Sequence, residues 1–90
     1  MTTTELKKFY NAYIEASKVC DAADEAWDAD LENEELEAEF DRTYALQNKA
    51  LEQLTKAISE FTKGQITEKT ARVMVMKFEG NLQNLFDRIA

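Results

Sequence analysis

Apolar and small residues recur along the first third of the chain at Leu6, Phe9, Tyr13, Ala16, Cys20, Ala23 and Trp27. The steps alternate three and four without a slip, which is the seam of one amphipathic helix. Tyr10, Ile14 and Val19 widen or flank that seam. Thr2 and Glu5 are spaced as a capping box, so the pattern predicts a helix over residues 3–29, roughly 40 Å long at ~1.5 Å per residue.

The pattern breaks between Asp28 and Asn33, where Leu31 stands among acidic neighbours. Asn33 is a good N-cap, and Glu34 and Glu35 suit the positive end of a helix dipole. A second stripe follows: Leu36, Phe40, Tyr44, Gln47, Leu51, Leu54, Ile58 and Phe61, with Thr43, Ala50 and Ala57 alongside. This predicts a helix over 33–63, the central one by the width of its apolar face. Lys63 falls in its last turn, and Gly64 suits the left-handed C′ position. Gln47 is the polar residue in the stripe, placed either to fix helix register or at the rim.

A third stripe runs Ala71, Val75, Phe78, Leu82, Leu85 and Ile89. Thr67 can cap it, with Ile66 packing on Ala71 as a hydrophobic staple. It passes through Gly80, so a single helix over 67–89 is predicted, at a cost of about 1 kcal/mol for the glycine. A break with Asn81 as a new cap is the alternative.

Three such helices with short connections predict an all-α fold, an up-down-up antiparallel three-helix bundle in one domain over 1–90. Composition agrees, with no Pro and two Gly, at 64 and 80. No strand pattern, repeat or low-complexity linker interrupts it. Cys20 is the single cysteine and lies in the apolar seam, so it reads as a small buried hydrophobe. No N-terminal run has the form of a signal peptide, and no apolar run approaches ~18 residues. The expectation is a cytoplasmic protein with no membrane association.

Charge changes this picture. The chain carries 18 acidic and 11 basic residues, a net −7. Residues 21–41, DAADEAWDADLENEELEAEFD, hold 11 of those acids and no Lys or Arg, leaving 7 acids against 11 bases elsewhere. A stretch of −11 is thus set against a remainder of +4. In the predicted bundle it falls at one pole, formed by the end of helix 1, the start of helix 2 and the end of helix 3. The other pole collects Lys7, Lys8, Lys56, Lys63, Lys69 and Arg72. Such concentration is self-repelling, and salt is expected to stabilise the fold.

The acidic pole admits three readings. The plainest is a solvated corner that confers solubility. A sharper one is a partner surface imitating nucleic-acid phosphates, because carboxylates three or four apart on a helix stand roughly 5–6 Å from one another. Asp21, Asp24, Glu25 and Asp28 form one such ladder, and Glu32, Glu35 and Glu39 another. The third is calcium: Asp28, Asp30, Glu32, Glu34 and Glu39 occupy positions 1, 3, 5, 7 and 12 of a loop of EF-hand length. That match fails at position 6, which is Asn33 where glycine is wanted, and at position 8, the charged Glu35.

Other chemistry lacks its parts. There is no His, so a transition-metal site and a His-activated nucleophile are both unsupported. Acid–base catalysis needs an enclosed cleft, for which a narrow bundle has little room. No enzyme activity, cofactor or bound metal is expected, and direct nucleic-acid binding is disfavoured because phosphates would be repelled.

The reading that joins these points is a small acidic interaction protein that inhibits a nucleic-acid-handling enzyme by occupying its basic surface. Asp21, Asp24, Glu25, Trp27, Asp28, Asp30, Glu32, Glu34, Glu35 and Glu39 are its expected contact residues, with Trp27 closing the core or anchoring the partner. In size, charge and fold class alone the chain resembles small acidic inhibitors from phages and mobile elements; the anti-CRISPR and anti-restriction types fit, but no motif carries over. The rival is an assembly module acting through coiled-coil-like homo-oligomerisation, in which Val73, Met76 and Gly80 bring helix 3 against a second copy as a homodimer.

Overall fold

The computed structural model describes residues 2–77 together with Asn84 and Asp87. Its elements are α1 (Thr3–Ala29), α2 (Glu34–Phe61) and α3 (Glu68–Lys77), and no strand occurs among the described residues. α1 packs along α2 and α2 packs against α3, as in the predicted three-helix bundle. Asn84 and Asp87 are helical and exposed; the rest of the seam predicted beyond Lys77, with the question of a break at Gly80, lies outside the described residues.

The helix starts form as their sequences dictate. Thr2 Oγ1 accepts the Glu5 N–H at 3.2 Å, and Asn33 Oδ1 accepts those of Glu35 and Leu36 at 3.0 and 3.2 Å. Thr67 Oγ1 accepts the Thr70 N–H at 3.2 Å ahead of α3. Each bond satisfies an amide that the helix leaves without a partner.

The end of α2 departs from the expectation in register. The C-cap is Thr62, so the left-handed C′ residue is Lys63, at φ 55°, and Gly64 follows at φ 81°. Lys63 N–H donates to Glu60 O at 3.1 Å and Gly64 N–H to Ser59 O at 2.8 Å. These are the two bonds of a Schellman motif, with lysine where glycine is usual. The Thr62 hydroxyl donates to Ile58 O and accepts the Ile66 N–H at 3.1 Å, tying the end of α2 to the lead of α3.

Leu6, Tyr13, Leu51, Leu54, Ile58, Ala71 and Val75 form one buried cluster in the half of the rod that holds the start of α1 and the end of α2. Full burial of a Leu, Ile or Val side chain contributes about 1.5–3 kcal/mol. Ile66 packs on the same cluster, in keeping with its predicted role as a staple. Buried Thr43 and Thr55 satisfy their hydroxyls by donating to Phe40 O and Glu52 O within the helix. Towards the other end the described residues that are buried are Cys20, Ala23 and Thr43, and two residues read from sequence as stripe or flank, Tyr44 and Val19, are half exposed. The molecule is a rod of 46 × 21 × 19 Å; its radius of gyration of 14.7 Å exceeds the ~12 Å of a compact 90-residue domain.

Candidate functional site: the acidic corner

The corner is a tight turn between two long helices. Asp30 ends α1 with its N–H on Trp27 O at 2.9 Å, and Asn33 N–H donates to Asp30 O at 3.1 Å. The Asn33 amide also reaches Asp30 Oδ2 at 3.3 Å while its oxygen caps α2. One asparagine therefore closes the turn and starts the next helix. Leu31 stands at the apex, 65% exposed.

The expected contact carboxylates are all exposed, and Trp27 is half-buried. Asp21, Asp24, Glu25 and Asp28 project from α1 within roughly a 100° arc, so that ladder forms as read from sequence. The second is shorter than expected. Glu32 lies in the turn, ahead of the N-cap, and does not stand in helical register with Glu35. Glu39 is held by Arg42, the first base after the stretch: Arg42 Nε donates to Glu39 Oε2 at 3.1 Å and Nη2 donates to Oε1. The Arg42 hydrogen bonds hold the Glu39 carboxyl below its usual value, and the same contact raises the guanidinium. Among the described residues no salt bridge neutralises the other acids of the stretch.

Beside the carboxylates lies an aromatic file that the sequence reading split between core and anchor. Trp27 packs on Phe40 with centroids 5.3 Å apart and planes at 33°, and Phe40 stacks on Tyr44 at 5.9 Å. The i, i+4 spacing of Phe40 and Tyr44 was the available signal, since those positions share a helix face. Trp27 Nε1 is enclosed and without a hydrogen-bond acceptor. Leaving such a donor unsatisfied costs about 1–3 kcal/mol, which the ring's packing has to offset.

The calcium reading does not survive the geometry. Asp28 lies in α1 and Glu34 and Glu39 in α2, leaving residues 30–33 as the non-helical link. An EF-hand wraps its ligands around the ion within one continuous loop. Among the described residues no cluster of three or more carboxylates is placed to hold a metal.

At the far pole Lys56, Lys69 and Arg72 converge on a cleft between α2 and α3, shared with Glu52, Thr55 and Glu68. Between the poles, Gln47 donates to Ser17 Oγ across α1 and α2 at 3.1 Å, so the polar stripe residue does link the helices. No described helix is long and apolar enough to cross a membrane. Comparison of the chain with protein-family models, curated proteins and solved structures returns no match.

Proposed function

We propose that this is an acidic interaction module that occupies the basic, nucleic-acid-binding surface of a partner enzyme in the cytoplasm and inhibits it by competition. It acts by binding and not by catalysis, in the manner of an anti-CRISPR or anti-restriction protein. The observation that carries the reading is the un-neutralised α1 ladder, Asp21, Asp24, Glu25 and Asp28, on a corner pinned by Asn33. Carboxylates fixed on a helix lose little freedom on docking, unlike those of a flexible tail. Exposed Leu31 and half-buried Trp27 supply apolar contact beside the charge.

The test is capture from the native host at low and moderate salt, using the wild-type chain and a D21K/D24K/E25K/D28K variant. The wild type should retain a nucleic-acid-binding protein at low salt and release it as salt rises, while the variant retains none. Equal retention by the variant would show that the ladder does not mediate the contact.

A further inference from the structure

The cleft between α2 and α3 at the far pole has a volume of about 390 Å³, within the range of small-molecule sites. Every residue lining it is polar or charged. Thr55 is the buried one, and its hydroxyl is already committed to Glu52 O. The bases are not committed. Among the described residues no ion pair or side-chain hydrogen bond engages Lys56, Lys69 or Arg72.

Packing brings these three together. Lys69 and Arg72 are three apart and share a face of α3, while Lys56 approaches from α2. The two backbones are held by fully buried Ala71 and Val75 in the core and by the Thr62 hydroxyl on Ile66 N–H. The acidic stretch is too far away to cancel the bases. At ~1.5 Å per residue, Lys56 stands roughly 22 Å along α2 from Asp41, the last acid of that stretch. That is over twice the ~8 Å Debye length at physiological salt. Glu52 and Glu68 do share the cleft, four residues ahead of Lys56 and Arg72. Exposed pairs of that spacing are weak and yield to an anion of higher charge.

We propose that this cleft binds the phosphoryl group of a small ligand. Arg72 donates through its planar fork, and Lys56 and Lys69 supply point charges from the two helices. Three bases on two helices suit the three terminal oxygens of a phosphoryl group better than the two of a carboxylate. The volume leaves room for the group that carries it. The site goes beyond the tip reading and does not rest on it, since none of its residues lies within 21–41.

Titration of the full chain with pyrophosphate, and separately with inorganic phosphate, decides it when followed by amide chemical shifts at constant ionic strength. The variants are Lys69→Gln, Arg72→Gln, Glu52→Gln and, on α1 outside the cleft, Lys18→Gln. All four positions are exposed, so the fold should tolerate the changes, which circular dichroism checks. Pyrophosphate should bind saturably with a dissociation constant on the order of a millimolar or below, several-fold tighter than inorganic phosphate. Its shifts should centre on residues 52–56 and 68–72. Lys69→Gln and Arg72→Gln should each weaken binding several-fold, Lys18→Gln should leave it unchanged, and Glu52→Gln should tighten it. Absence of saturation at ten millimolar pyrophosphate overturns the proposal. So does an equal loss in Lys18→Gln, which reduces the effect to net charge. Pyrophosphate binding no tighter than inorganic phosphate overturns the assignment to a small phosphorylated ligand.

Discussion

Trp27 carries two opposed contributions. Its ring packs on Phe40 at 5.3 Å and closes the acidic end of the hairpin, while its enclosed Nε1 has no acceptor. Trp27→Phe keeps an aromatic ring and removes the orphan donor, so stability in urea should stay within about 1 kcal/mol of wild type or rise. Trp27→Ala should cost about 2–4 kcal/mol, somewhat below the range for a fully buried tryptophan. A large loss in the phenylalanine variant would mean that the N–H is satisfied in solution. The seam spacing placed Trp27 on the α2 side of α1, but no periodicity shows whether an indole N–H finds an acceptor. That depends on the carbonyls and carboxylates the fold brings near it. Arg42 is similar: its pairing with Glu39 is open to any i, i+3 reading, yet it lies one residue beyond the charge run and so escapes a count of that run.

At the scale of elements, the starts were more legible than the ends. Thr2, Asn33 and Thr67 cap because a side-chain oxygen two or three residues ahead of orphan amides is a local property of the sequence. The end of α2 was misplaced by one residue because a Schellman motif needs one left-handed residue at C′, and glycine was assumed to supply it. Lys63 takes that position and Gly64 follows, also at positive φ. Left-handed backbone costs a residue bearing a Cβ about 1–2 kcal/mol. Lys63→Gly should therefore stabilise by about 0.5–1 kcal/mol after the added freedom of the unfolded chain is subtracted. Gly64→Ala should destabilise by about 1 kcal/mol through backbone strain alone, because a Cβ there meets nothing within 4 Å. Equilibrium urea unfolding of both variants checks the pair. A neutral Lys63→Gly would mean that the turn relaxes in solution.

For the whole molecule, the bundle was legible from three seams, and the charge polarity from a count by segment. The exposure of individual stripe residues was not, because a regular seam says which side of a helix is apolar and nothing about how fully each position is covered. Tyr44 and Val19, in or beside the stripes, are half exposed. The acidic half carries the concentrated negative charge of residues 21–41. Raising salt from low to moderate concentration should increase the melting temperature by several degrees. The D21K/D24K/E25K/D28K variant should gain less from salt. If both responded alike, repulsion within the ladder would not be what limits stability.

In the proposed mechanism the acidic corner and a nucleic acid compete for one surface of the partner. The direct measurement is a competition titration, adding a short duplex to the complex between this protein and its captured partner and following release by fluorescence anisotropy. Duplex and protein should exclude one another, with the protein's apparent dissociation constant rising in proportion to duplex concentration. A ternary complex, with both bound at their separate affinities, would contradict it.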